Sequence, residues 1–332
     1  MAEHVGEGLG QQGTLELPVD QYAGWRESAL ASLERAHGLL AEGQARQGMH
    51  TLFAALQGPR AFLPLEEWKR FCQLCRAHPI LQLLLEDPLT HRSFARPRGY
   101  PGDAVLLDLM YQPELNEQGP VSKTGREIFD FLYGQSNTIS LRYRRDLLAR
   151  RIDEVADAVP EARIVSVAAG HLREAQSSRA VAERRFGQFL AVDQDPESLT
   201  VIEQELMPLG IQPVHGSVRA LLKQELRFTD QDFIYAAGLY DYLPQPVAIS
   251  LTHLLFSMLR PGGRLLLANY ADNVQDPGCR AYMEAFMDWW LLYREEREVE
   301  EWLRDIPLSQ LAQRQLFLDG PGNILYLELV RR

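Results

Sequence analysis

Four short stretches in the second half of the chain place small and polar side chains where chemistry could be done: AAGHLREA, AVDQDPESL, HGSVRALL and AAGLYDYLPQP. In the first, Gly170 lets the backbone approach a ligand closely, with Ala169 and His171 on either side. About twenty residues further on, Asp193 supplies the acidic acceptor that a ribose diol needs, and Gln194 lies beside the base of such a ligand. Asp195 is expected only to cap the following helix. Ser217 and Val218 offer further contacts to the base, although Ser217 would serve equally as a helix N-cap. Gly238, Tyr240 and Tyr242 complete the set in the fourth stretch. Upstream, ARPRGYPGDAVLLDLMY carries Arg98 and Tyr100 in a loop rich in Gly and Pro, a segment that could close over a ligand. Of His171, His215 and His253, only His171 stands at a ligand-facing junction.

Those residues need a scaffold. After Pro160 the runs RIVSVAA, GQFLAVDQ, IQPVHG, DFIYAAG and GRLLLANY alternate with helical stretches, the pattern of a parallel sheet covered on both faces. Ligands of such sheets settle at the carboxyl ends of the central strands, which is where the four stretches fall. RQLFLDGPGNILYLELVR reads differently, as two strands around a Gly-Pro-Gly-Asn turn, and such a hairpin must be antiparallel. The expected fold is therefore α/β, with a doubly wound, mostly parallel seven-stranded sheet over residues 161–332. Residues 18–136 show helical spacing, as in Trp25, Leu30, Leu33 and Leu39, and predict an all-helical cap. A connecting helix spans 137–160, and residues 1–17, rich in Gly and Gln, are expected to be disordered.

Composition narrows the partners. The chain has 332 residues, 46% of them apolar, enough to bury a substantial core. A net charge of −11 disfavours broad contact with nucleic acid or anionic membrane and favours a small-molecule substrate. No apolar run reaches spanning length and no secretory leader is evident, so a cytoplasmic location is expected. The three cysteines suit a reducing compartment. Cys72 and Cys75, with His78 nearby, lack a second ligand pair and are expected to pack on a helix, so no metal is expected.

The four junctions, with the turn LRPGGRLLLANY before the fifth strand, resemble the class I methyltransferases, whose sheet is five parallel strands closed by an antiparallel hairpin. That resemblance implies S-adenosylmethionine (SAM) as cofactor or substrate, with adenine near Gln194, Ser217 and Val218. RPRGYPGDAVLLDLMY, SVAAGHLREA, VDQDPESL and AGLYDYL together resemble a narrower bacterial subfamily with a helical N-terminal domain. One branch is linked to methyl esters of 3-hydroxy fatty acids. Another comprises the azetidine-2-carboxylate synthases, which cyclise SAM itself and release methylthioadenosine. The second branch implies Tyr100, Tyr240 and Tyr242 as faces for the sulfonium. Ser136 or Asn137 would orient the amine or carboxylate, with Arg98 or Arg142 near the carboxylate. Methyl transfer would instead need an acceptor pocket, which YMEAFMDWWLLY could line, although Met and aromatic residues at helical spacing more often form a core or a homodimer face. A non-catalytic SAM-binding regulator is the third reading.

Overall fold

The computed structural model describes residues 19–112, 121–272 and 277–332. The N-terminal segment expected to be disordered lies outside the described residues. Helices come first: α1 (Val19–Ala41), α2 (Ala45–Phe62), α3 (Leu65–Ala77), α4 (Ile80–Leu84), α5 (Pro88–Ala95), α6 (Ala104–Tyr111), α7 (Lys123–Tyr133) and α8 (Ser136–Ala158). Several start at side-chain caps that the sequence writes plainly: Asp87 accepts from Thr90 N before α5, Asp103 from Leu106 N before α6, and Ser122 from Gly125 N before α7.

The sheet follows, with β1 (Arg163–Val167), β2 (Gln188–Asp193), β3 (Ile211–His215), β4 (Gln231–Ala236), β5 (Leu259–Tyr270), β6 (Leu311–Leu318) and β7 (Ile324–Arg331). Its order is β3-β2-β1-β4-β5-β7-β6. The first five strands run parallel, and β7 lies antiparallel to both β5 and β6. Between and beyond them lie α9 (Arg173–Gln176), α10 (Arg179–Ala182), α11 (Pro196–Glu205), α12 (Val218–Leu222), α13 (Gln245–Ser257), α14 (Pro277–Phe286) and α15 (Glu296–Glu300). The Pro-Gly-Gly before the fifth apolar run falls inside β5, whose pairing with β4 shifts register there. Gly262 takes φ +81°, and a Cβ on Gly263 would stand 2.5 Å from the Gln231 carbonyl oxygen, so both positions exclude a side chain.

Strand alternation sorts the core into two layers. Ile164, Phe189, Ala191, Phe233, Tyr235 and Leu266 face one side and pack into a hydrophobic cluster continuous with the N-terminal helices. Val165, Val167, Leu190, Ile234, Leu265 and Leu267 face the other, against α12, α13 and Trp302. Helix α14 reaches back to α2 and α3. There Tyr282 stacks on Phe53 at 5.2 Å and shares a 2.8 Å hydrogen bond with Thr90, while Glu284 accepts from Trp68 Nε1 at 2.6 Å. Most of the run expected to line an acceptor pocket or form a core is thus core, each fully buried aromatic contributing ~1.5–3 kcal/mol. Cys72 and Cys75 are buried on α3, where burial pushes both thiols up, Cys75 to about 12. No helix among the described residues is long and apolar enough to cross a membrane.

Candidate active site

The strand order reverses between β1 and β4, and the crevice such a reversal opens lies beyond the carboxyl ends of those strands. A cavity of about 390 Å³ occupies it, within the ~300–1,000 Å³ range of small-molecule sites. Two further cavities, beside Trp25 and beside Asn137, measure about 10 and 20 Å³, room for roughly one water each.

The loop leaving β1 is the most constrained part of the wall. Ala168, Gly170 and Leu172 have φ of 56°, 56° and 52°, the left-handed region that costs a non-glycine residue ~1–2 kcal/mol. Hydrogen bonds hold the loop there: Ala169 N donates to Val192 O at 3.1 Å, and Gly170 N to Asp193 Oδ2 at 2.7 Å. Asp193 also accepts from Asp195 N at 2.8 Å. Burial pushes its carboxyl up, opposed by these backbone donors. Each Asp193 oxygen retains a lone pair for a ligand hydroxyl. Gln194, Ser217 and Val218 line the same wall, Ser217 also capping α12 through Ala220 N. Asp195 caps α11 as expected, accepting from Glu197 N at 3.0 Å.

Opposite this wall stand the loop after α5 and helix α6, which contribute Tyr100, Gly102, Ala104, Leu107, Asp108 and Tyr111. Burial, followed by Asp195, Asp193 and Asp103, pushes the Tyr100 phenol up to about 12, so it presents a neutral aromatic face. Tyr242 also faces the cavity, its hydroxyl accepting from Trp289 Nε1 at 2.7 Å. Gly238 lies against the Arg144 guanidinium.

His171 is spoken for at both nitrogens. Burial opposes the charge of Asp108, but hydrogen bonds from Arg173 and His171 keep its carboxyl below the usual value. Nδ1 therefore carries the proton and donates to Asp108 Oδ2 at 2.7 Å. Nε2 faces Arg98 Nη1 at 3.3 Å and accepts from it.

Five expected residues fall elsewhere. Arg98 does not line the cavity: it donates to Asp195 at 3.0 Å, Ser198 at 3.1 Å and Glu197 at 3.2 Å, tying its loop to α11. Arg142 lies over the Tyr133 ring at 4.0 Å, and Asn137 points its amide at Met283 Sδ. Ser136 starts α8 away from the cavity. Tyr240 is fully buried on the far face of the sheet, its hydroxyl bonded to Thr252 at 3.0 Å and its ring 4.5 Å from Trp302. The packing reading holds for it. None of residues 282–293 lines the cavity.

Four charged residues of the lining were missed: Asp108 and Arg173, which pair with each other, and Arg144 and Glu174. Arg144 is 6% exposed and, among the described residues, bonded only to neutral acceptors, Ala237 O at 2.6 Å and the Tyr111 hydroxyl at 3.0 Å. A signal existed, since Leu141, Arg144 and Leu148 follow the buried stripe of α8. Glu174, on α9, is buried on the same wall and accepts from the Tyr235 hydroxyl at 2.9 Å. Burial pushes its carboxyl up, with Tyr235 and Arg144 opposing. It lies in the AAGHLREA stretch that the sequence singles out, but no role was assigned to it there.

Five parallel strands, an antiparallel β7 inserted beside β5, and a ligand-sized crevice at the reversal decide the architecture. The chain has the class I methyltransferase fold. It is similar to a possible exported protein from Bordetella parapertussis, with 17% identity over 69% of this chain and 79% of that one, at a TM-score of 0.55. It also aligns with magnesium protoporphyrin IX methyltransferase from Synechocystis, solved with S-adenosylhomocysteine, at 13% identity over 69% and 99% of the two chains and a TM-score of 0.44. A third alignment is to the N-methyltransferase NodS from Bradyrhizobium japonicum, 13% identical over 57% and 87%, at 0.42. No family model and no curated protein matches.

Proposed function

We propose that this chain is a SAM-utilising enzyme that cyclises SAM to azetidine-2-carboxylate and releases methylthioadenosine. Asp193 takes the ribose hydroxyls, Gln194, Ser217 and Val218 surround the adenine, and the loop at Gly170 holds the start of the methionine arm. Tyr100 and Tyr242 face the sulfonium, each worth ~0.5–2 kcal/mol by cation–π attraction. Arg144, a buried cation paired among the described residues only with neutral oxygens, suits the α-carboxylate as its charge partner.

Ring closure needs the α-amine to reach the γ-carbon in line with the breaking carbon–sulfur bond, so folding the arm in a dry pocket supplies most of the catalysis. The observation that carries this reading is a cavity of about 390 Å³, of one-ligand size, with the Arg144 cation buried in its wall for that ligand's carboxylate, which favours a reaction within SAM over one that seats a second substrate beside it. Incubation of the purified protein with SAM alone tests it. Methylthioadenosine supports cyclisation; S-adenosylhomocysteine formed only after a hydroxy acid is added supports methyl transfer.

A further inference from the structure

SAM carries its α-amine mostly as an ammonium at neutral pH, since an α-amino group titrates near ~7.7–8.0. An ammonium has no lone pair and cannot attack. Resting on the cyclisation reading, we infer that Glu174 is a catalytic residue: it receives the ammonium proton and releases the lone pair for ring closure.

The geometry carries this. Glu174 lies on the cavity wall with Arg144, Gly170 and Gly238, next to the loop that leaves β1. It is buried, and it forms no ion pair among the described residues. Its partners are the Tyr235 hydroxyl of β4, itself bonded to Ser166 of β1, and at longer range the Arg144 charge from α8. A buried carboxylate without a cation is costly to keep charged, and a bound ammonium is the cation it lacks. Arg144 and Glu174 thus present opposite charges to the two ends of one α-amino acid.

The step balances. One ammonium proton passes to a Glu174 oxygen; the freed nitrogen lone pair forms the bond to the γ-carbon; the carbon–sulfur bond breaks with its electron pair going to sulfur. Methylthioadenosine leaves as a neutral thioether, azetidine-2-carboxylate retains a protonated ring amine, and Glu174 returns its proton to water. Burial raises the Glu174 pKa, so the carboxylate gains its charge, and with it the capacity to accept, as pH rises through that raised value. Turnover should show an acidic limb that follows this titration.

Glu174→Gln preserves the acceptor for Tyr235 and removes the base. Methylthioadenosine release from SAM should fall ~10²–10⁴-fold, and the deficit should shrink above pH 8, where the amine is already neutral. Tyr235→Phe removes a donor that favours the charged carboxylate, so its acidic limb should move to higher pH. Binding gives a readout without turnover. As pH falls, S-adenosylhomocysteine, which has the amine, should lose more affinity for the wild type than methylthioadenosine, which lacks it but shares the ribose that meets Asp193; Glu174→Gln should bring the first curve close to the second. Turnover by Glu174→Gln within threefold of wild type, or an unchanged pH dependence of S-adenosylhomocysteine binding, overturns the inference. Absence of methylthioadenosine from the wild-type reaction overturns the cyclisation reading instead, and the binding curves still report whether Glu174 meets the amine.

Discussion

Asp193→Ala removes a carboxylate that acts in two places at once. Its oxygens hold Gly170 N at 2.7 Å and Asp195 N at 2.8 Å, and in the proposed complex they also take the ribose hydroxyls. Hydrogen bonds to a charged group contribute ~1.5–3 kcal/mol each, but the upward push of burial on this carboxyl shows that part of that gain is spent on desolvation. A net stability loss of about 1–3 kcal/mol is expected, with a further 1–3 kcal/mol lost from ligand binding, roughly a 5- to 150-fold weaker dissociation constant. Methylthioadenosine is the ligand to use, because it carries the ribose and is not turned over. Calorimetry with it and with its 2′-deoxy analogue completes a double-mutant cycle that separates the ribose contact from loop support. Wild type should pay for the missing hydroxyl and Asp193→Ala should not. Equal deoxy penalties in the two proteins, or unchanged affinity in a folded Asp193→Ala, would refute the ribose assignment.

Gly102→Ala should displace the Tyr100 loop, because Gly102 has φ +70° and an added Cβ would stand 2.3 Å from the Trp289 ring; SAM affinity should fall by about tenfold or more, and unchanged affinity would show that the loop does not close the site. Asp108→Asn places an amide donor against Arg173 and His171 and should cost ~3–5 kcal/mol in denaturant unfolding, a loss below about 0.5 kcal/mol contradicting the pairing. Asp87 is raised by burial to about 7, so its native carboxyl is penalised as pH rises above the unfolded value of 3.8, fully so only above pH 7. Asp87→Asn keeps the cap acceptor for Thr90 N and should gain on wild type by on the order of 2–3 kcal/mol between pH 5 and pH 8; parallel stability curves would deny the shift.

Strand runs and the terminal hairpin were legible because apolar alternation and turn chemistry are local, and the β1 and β2 junctions because Gly170 and Asp193 sit at strand ends that open on the cavity. Which helix faces meet the cavity was less so. On α8 each residue turns ~100°, so Arg142 and Arg144 lie some 200° apart; the apolar stripe through Leu141 and Leu148 put Arg144 on the buried side, but that this side meets the cavity follows from packing against β4 and α6. Tyr240 and Tyr242 divide in the same way within one tight turn, the first entering the core and the second the site. The AAGHLREA stretch placed Glu174 near the site, but its burial, which the sheet and α8 create together, could not be read from sequence.

Mass spectrometry of SAM incubated with the wild-type protein and no acceptor bears most directly on the proposed chemistry, because cyclisation and methyl transfer break different carbon–sulfur bonds. Equimolar methylthioadenosine and azetidine-2-carboxylate, accumulating over many turnovers, are expected. Intact SAM in that reaction, with S-adenosylhomocysteine appearing only once an acceptor is supplied, would contradict it.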